Sequence, residues 1–250
     1  MAAPLSASYV YALVAGAKPR LGKAPTLPGA GKPRLLDAGQ RLHALVATVP
    51  LELYDEAAIE RGLQDLEWVS RCAVGHERVL EYFSKATALV PLKLFTLFHS
   101  DERALAHVAK GRKKIDAVVA RVSGCVELGV RVALAPRRTL SATLAAPASG
   151  TAFLARKKRQ KDETRELAAR ASADAEALHA QLAARADEAA KRPPLPAGPR
   201  LLLDAAYLVP RKKLVSFKEA VAREARALEA DGLEVTLTGP WPPYNFAVVP

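Results

Sequence analysis

The sequence predicts an α+β fold, in which antiparallel sheets are covered by helices. Residues 126–134 alternate between apolar and other side chains with a period of two, which is typical of a strand with one buried face. Residues 101–122 instead repeat their apolar positions with a helical period. Strand and helix patterns do not alternate regularly, as they do in a doubly wound parallel sheet, so we expect antiparallel pairing.

Residues 1–138 are predicted to form the first of two domains. Short apolar runs with strand-forming side chains predict strands at 5–14, 35–38 and 42–49. The intervening residues 15–33 are rich in Gly and Pro, which predicts a long loop.

The rest of this domain is predicted to be mainly helical. Residues 55–88 have a helical period that Gly75 is expected to interrupt, and a strand follows at 89–98. Ser100 precedes Asp101 and Glu102, which predicts an N-cap for a helix over 101–122.

Residues 139–250 are predicted to form a second α+β domain after a linker at 136–150 that is rich in Ala, Ser and Thr. Residues 151–192 predict a long helix or a helical pair, since 12 of the 23 residues from 168 to 190 are alanine. Four prolines between 193 and 199 end this helix.

The second domain is then predicted to alternate strand and helix. We expect a strand at 201–209, an amphipathic helix at 214–230 that ends at Asp231-Gly232, and a strand at 233–238. A segment rich in Pro and aromatic residues closes the chain.

The composition excludes several classes of protein. Half of the 250 residues are hydrophobic and a quarter are charged, which rules out collagen and a largely disordered chain. Cys72 and Cys125 are isolated, so we expect two buried thiols in a reducing compartment. Residues 1–17 lack the positive region of a signal peptide, and the longest uncharged runs contain Pro or Gly, so the expected location is the cytoplasm.

No motif in the sequence predicts catalysis, a cofactor or a metal site. The Gly and Lys residues at 16–23 lack the spacing of a phosphate-binding loop, Pro19 removes a backbone donor, and Ala24 replaces the hydroxyl that binds magnesium. The five histidines include no pair at the i,i+4 spacing of a zinc helix. We therefore expect a protein that is not an enzyme.

The positive charge leaves a second function open. The 37 Lys and Arg residues exceed the 26 Asp and Glu residues by 11, and five cations fall within residues 156–161. Such a run suits phosphate groups, but the solvated first turns of a charged helix are the favoured interpretation, because Asp162, Glu163 and Glu166 follow and partly neutralise it. A basic accessory factor that binds nucleic acid is the alternative function, although no aromatic residue is interleaved with these cations to stack on bases.

The segment Gly239-Pro240-Trp241-Pro242-Pro243-Tyr244-Asn245-Phe246 resembles the terminal signature of the gas vesicle GvpL/GvpF family. Further stretches resemble that family in the same order along the chain: residues 9–14, 76–80, 90–93, 150–156 and 205–209. The family often has Phe-Gly-Thr after its proline block, whereas this chain has Leu94-Phe95-Thr96.

This resemblance implies a non-catalytic accessory or minor structural protein of gas vesicles, located in the cytoplasm with the vesicle. It implies an N-terminal domain related to the ferredoxin-like fold and a C-terminal domain with a helical pair. The implied partner is the small hydrophobic shell protein, whose assembly the protein supports, together with other accessory proteins of the vesicle. A membrane partner is not expected, and a nucleic acid is not the favoured one.

Trp241, Tyr244 and Phe246 are the candidate functional residues. The prolines between them stiffen the backbone and hold the rings in a fixed relation. They serve either as anchors for a partner or as side chains that fasten the chain end over the C-terminal core.

Overall fold

The computed structural model describes residues 5–135, 150–193 and 201–247. Contacts divide the chain into two compact units. The first unit contains the described residues up to Glu127 together with those from Pro240 onwards, and the second contains those between Leu128 and Gly239. The terminal segment is therefore grouped with the first unit, whereas the sequence assigned it to the second half of the chain.

The first unit is built on an antiparallel sheet with the strand order β2-β3-β1-β4, and β5 also pairs with β1. Its strands are β1 (Ser6–Ala15), β2 (Arg34–Asp37), β3 (Leu42–Pro50), β4 (Ala88–Pro91) and β5 (Leu97–Phe98). Its helices are α1 (Leu51–Tyr54), α2 (Glu56–Gly62), α3 (Leu66–Tyr82), α4 (Asp101–Lys110) and α5 (Arg112–Val122).

Strand β1 is buried on both of its faces. Helix α3 supplies Cys72, Val79 and Leu80 to the core on one side of the sheet. Ala104 and Ile115 are buried in α4 and α5. Because both faces are covered, β1 is apolar along nearly its whole length rather than alternating.

The second unit combines a four-stranded sheet with two helices. Its elements are β6 (Cys125–Leu134, which begins in the first unit), α6 (Gly150–Ala183), β7 (Glu188–Lys191), β8 (Leu201–Pro210), α7 (Leu214–Ala230) and β9 (Leu233–Trp241). The strand order is β7-β8-β6-β9. The core is formed by apolar side chains of β6, β8 and both helices, among them Val130, Leu178, Tyr207 and Phe217.

The predicted mixture of antiparallel strands and packed helices is confirmed. So are several local signals. The Ser100 hydroxyl accepts a hydrogen bond from the Arg103 amide (3.3 Å), and Gly232 has a positive φ of 79° after α7. Cys72 and Cys125 are both buried and free of disulfides. The predicted linker at 136–150 lies outside the described residues, except for Gly150.

The long helix or helical pair predicted for residues 151–192 is present only as far as Ala183, and its C-terminal part is wrong. Helix α6 ends at Ala183, and the alanine-containing stretch Glu188–Lys191 forms β7. There Ala189 pairs with Tyr207 of β8 in antiparallel register. Tertiary pairing thus overrides the high intrinsic helix propensity of alanine.

The breaks within the first unit also differ from the predicted ones. Helix α3 runs through Gly75 without interruption, and a Cβ atom there would lie 3.4 Å from the loop around Leu27. Gly75 therefore packs against this loop within the helix and does not end it. The predicted strand at 89–98 is divided into β4 and β5, and the predicted helix at 101–122 is divided at Gly111.

No helix among the described residues is both long and apolar enough to cross a membrane.

Candidate partner-binding site

The terminal segment forms a tight turn immediately after β9. Prolines at 242 and 243 cannot donate backbone hydrogen bonds, so they end the strand. The Tyr244 amide then donates to the Pro242 carbonyl oxygen (2.8 Å), and the Phe246 amide donates to that of Pro243 (3.0 Å). The turn places the side chains of successive residues in different environments.

A buried carboxylate holds this turn. Glu127 is only 3% exposed, and its Oε2 accepts a hydrogen bond from the Asn245 backbone amide (2.8 Å). Its Oε1 accepts a second hydrogen bond from the Asn245 side-chain amide. Both carboxylate oxygens are therefore paired, which makes burial of this charge tolerable.

The three candidate aromatic residues are placed differently. Phe246 is 1% exposed, and the Arg121 guanidinium carbon lies 5.7 Å from its ring centroid. Tyr244 is 38% exposed, and Trp241 is 44% exposed. The segment thus combines one buried side chain with two accessible ones, and Asn245 and Phe246 contact residues of the first unit.

The Tyr244 hydroxyl donates a hydrogen bond to Glu77 Oε2 (2.6 Å). Burial and the nearby Glu77 carboxylate raise the pKa of Tyr244, so the hydroxyl stays protonated and remains a donor. Two sequence stretches that lie far apart in the chain therefore meet in space, since Glu77 belongs to the stretch at 76–80.

A largely apolar cavity of about 260 Å³ lies in the first unit beside this turn. It is lined by residues of β1, β3 and β4, by helices α4 and α5, and by the terminal turn. The apolar lining includes Val10, Leu13, Ala44, Ala104, Val108 and Ile115. The side chains of Lys93, His107 and Tyr244 contribute polar groups. The cavity is larger than the one of about 150 Å³ that is known to admit benzene in an engineered core.

An irregularity in β1 places Leu13 in this cavity. The register of β1 against β3 shifts between Val10 and Ala12. Before the shift, Val10 lines the cavity and Tyr9 belongs to the core beside α3; after it, Leu13 lines the cavity and Ala12 belongs to that core. One extra residue in a strand reverses which side chains face which side, so Val10 and Leu13 share a face.

A cluster of tyrosines and one histidine fills the opposite side of the same sheet. The Tyr9 hydroxyl is 2.7 Å from His76 Nδ1 and accepts a hydrogen bond from the Phe95 amide (3.3 Å). Burial lowers the pKa of His76 from 6.5 to about 4 and raises the pKa of Tyr9 and of the Cys72 thiol. These groups are neutral near pH 7, and their arrangement suits packing rather than proton transfer.

Within the described parts of the chain, no group of three or more His, Cys, Asp or Glu residues could hold a metal ion. The sequence predicts the three aromatic residues as functional candidates, but it does not predict that Glu77 and Glu127 bind the terminal turn or that a cavity lies beside it. A carboxylate in a strand or helix gives no sequence signal of burial until the group that pairs with it is known.

Known proteins resemble this chain over nearly its full length. The profile of the family described as gas vesicle synthesis protein GvpL/GvpF matches residues 7–248. Gas vesicle protein L of Streptomyces sp. (strain CB03234) is 32% identical, and the match covers 96% of this chain and 92% of that protein.

Two solved structures share the fold. The crystal structure of GvpF from Anabaena sp. PCC7120 has a TM-score of 0.69 at 18% identity and covers 98% of this chain and 97% of its own. GvpF from Microcystis aeruginosa has a TM-score of 0.69 at 15% identity, with coverage of 97% and 99%. Family profile, sequence identity and fold agree, and the chain belongs to the gas vesicle GvpL/GvpF family.

Proposed function

We propose that this protein is a non-catalytic accessory or minor structural protein that binds the small hydrophobic shell protein of gas vesicles and supports vesicle assembly in the cytoplasm. Membership of the family supports a role in the gas vesicle system. The observation that carries the proposal is the apolar cavity beside the accessible Tyr244.

A shell protein with a strongly apolar face needs cover before it assembles. Exposed apolar surface and unpaired strand edges promote aggregation. A helper that reversibly buries one apolar side chain of the shell protein would lower the concentration of the aggregating species. Full burial of a Leu or Ile side chain contributes roughly 2 kcal/mol, so one such contact gives reversible rather than permanent binding.

Trp241 and Tyr244 suit the edge of such a contact. Large aromatic side chains dominate the binding energy of many interfaces, and their polar atoms remain hydrated at the rim. The ring of Tyr244 is held in place by Glu77, so little side-chain entropy is lost when a partner binds.

We also propose that the first unit is related to the ferredoxin-like fold, as the resemblance implies. Its antiparallel sheet, with helices that bury residues in the core, supports this relation. The proposed role is non-catalytic because it needs only a surface that binds and releases an apolar side chain.

Filling the cavity tests the proposal. Ala104 of α4 lines the cavity and is 1% exposed, whereas Ala106 lies exposed on the same helix. We expect Ala104→Leu to reduce co-purification with the shell protein and its protection from aggregation at least fivefold, while Ala106→Leu retains both. Thermal melting identifies any variant that has lost its fold.

These measurements distinguish an error in the proposed binding site from an error in the proposed function. Full binding by a folded Ala104→Leu variant would show that the cavity is not the site. Failure of the unmodified protein to bind the shell protein, with both proteins folded, would overturn the function itself.

A further inference from the structure

The buried residues described for helix α6 lie in its C-terminal half. Ala171, Ala175, Leu178 and Leu182 are buried in the core of the second unit. Towards the other end of the helix, every described side chain from residue 151 to residue 170 is exposed. We call residues 151–170 the basic arm; at 1.5 Å per residue it spans about 30 Å of helix.

The cations of the basic arm are concentrated in one short run of the helix. Residues 156–161 contain five Lys or Arg side chains, and no Asp or Glu occurs between 150 and 161. Asp162 and Glu163 lie four residues after Lys158 and Arg159, so they compensate only part of this charge. Lys157 and Lys161 also lie four residues apart on one face, where like charges repel.

Apolar side chains accompany these charges. Phe153, Leu154 and Leu167 of the basic arm are 49%, 65% and 59% exposed. Phe153 and Leu167 extend the face that carries Ala171 and Leu178, because residues spaced three, four and seven apart share one side of a helix. The basic arm thus offers contacts for both carboxylates and apolar side chains.

We propose that the basic arm is a docking surface for an acidic, amphipathic segment of a partner protein. Carboxylates of such a segment would complement the run of exposed cations, and its apolar residues would cover Phe153 and Leu167. This surface is distinct from the cavity beside Tyr244.

Two other anionic partners fit the basic arm less well. A membrane-surface helix needs its apolar side chains on one face and its cations on the other, but successive cations at 156–159 surround the helix axis. A nucleic acid backbone would engage the cations but would leave Leu154 and Leu167 exposed.

A peptide titration with the full-length protein tests this proposal. The probe is a labelled 20-residue peptide with Leu at heptad a and d positions and Glu at the remaining sites, and its partner probe has Gln in place of Glu. We expect the Glu peptide to bind at least tenfold more tightly than the Gln peptide by fluorescence anisotropy. We also expect binding to weaken when the salt concentration is raised from 50 to 500 mM.

Charge-reversed variants locate the site. Lys157→Glu, Lys158→Glu and Lys161→Glu combined are expected to weaken binding of the Glu peptide at least tenfold. Glu and Lys have similar helix propensities, so circular dichroism should show that α6 is retained. The matched control combines Lys110→Glu, Lys113→Glu and Lys114→Glu, which change the net charge equally on exposed positions of α4 and α5, and should stay within twofold of the unmodified protein.

Two further results would overturn the proposal that the basic arm binds an acidic segment. Equal losses in the two triple variants would show that only net charge matters and would overturn the proposal. Tighter binding of a 20-base-pair duplex or of phosphatidylserine vesicles, lost in the Lys157 triple variant, would also overturn it in favour of that partner. The Ala104→Leu variant should bind the peptide normally, so failure of the cavity proposal leaves this one intact.

Discussion

Phe95 adopts a left-handed backbone conformation, with a φ of 64°, in the turn between β4 and β5. Glycine takes up such a φ without steric cost, because it has no Cβ atom. A bulky residue there costs roughly 1–2 kcal/mol. The Phe95 ring stacks on Trp68, with centroids 5.3 Å apart and an interplanar angle of 12°, and this contact offsets the strain.

Substitution at Phe95 separates the strain from the stacking. Phe95→Ala and Phe95→Gly both lose the contact with Trp68, so both should be less stable than the unmodified protein. Only alanine retains the disfavoured φ, so we expect Phe95→Gly to be about 1 kcal/mol more stable than Phe95→Ala. Chemical denaturation measures the difference, and a more stable alanine variant would contradict the assigned strain.

His76 should make stability depend on pH. Burial lowers its pKa from 6.5 to about 4, so the unfolded chain binds a proton between these values and the folded chain does not. The stabilisation is complete above pH 6.5 and is lost as the pH falls from 6.5 to 4, by up to about 3 kcal/mol. Urea denaturation from pH 4 to 7.5 should show this slope.

The matched control for this measurement is His76→Gln. Carboxyl groups titrate in the same range in both proteins, so the difference between the two pH profiles isolates the histidine. An unchanged slope in His76→Gln would show that His76 is not the group responsible.

At the scale of the secondary-structure elements, the turn between β2 and β3 has a strained backbone. Gly39, Gln40 and Arg41 have consecutive positive φ values of 79°, 51° and 61°. Two of these residues have side chains, and each therefore adds a steric cost that contacts elsewhere must offset.

Helix α5 supplies those contacts through Arg112. Its Nη1 donates to the carbonyl oxygens of Ala38 (3.0 Å) and Gly39 (3.2 Å), and its Nη2 donates to Gln40 Oε1 (2.8 Å). The ion pair with Asp116 (2.7 Å) orients the guanidinium. The planar, forked geometry of arginine makes several such bonds at once.

Arg112→Lys should therefore behave as a substantial loss despite the retained charge. A single ammonium cannot reproduce the set of hydrogen bonds, so we expect the free energy of unfolding to fall by about 1–2 kcal/mol. Lys113→Ala, at an exposed position of the same helix, should stay within about 0.5 kcal/mol. Equal stability of Arg112→Lys and the unmodified protein would mean that the turn holds its conformation unaided.

At the scale of the whole molecule, the terminal segment contributes buried residues to the first unit, in which the chain begins. Phe246 and Ala247 are 1% and 3% exposed there, and Asn245 satisfies the buried Glu127. The last strand thus delivers core residues to the unit in which the chain begins.

Two aromatic substitutions test this arrangement. Phe246→Ala should destabilise the first unit by about 3 kcal/mol, because a large buried side chain leaves a cavity. Trp241→Ala should leave the melting temperature nearly unchanged, since that side chain is 44% exposed, and should weaken binding of the shell protein if Trp241 is an anchor. A lowered melting temperature for Trp241→Ala with an unchanged one for Phe246→Ala would show instead that Trp241 is the structural residue.

The sequence by itself determined the features that depend on neighbouring residues. The strand β6, the helix cap at Ser100 and the glycine after α7 could all be predicted, because period, cap and turn chemistry are local. The single buried face predicted for β6 was wrong, because Glu127 and Gly129 of the other face are buried as well. The terminal motif also identified the family, since its unusual spacing of Pro and aromatic residues is readable without any fold.

Only the tertiary structure decided features that join distant residues. Glu188–Lys191 became a strand because β8 offered a pairing edge, Leu13 entered the cavity because β1 shifts its register, and Glu77 and Tyr244 meet across 167 positions of chain. The physical reason is that strand pairing and burial are set by which surfaces come together when the chain folds, and no local pattern encodes that choice.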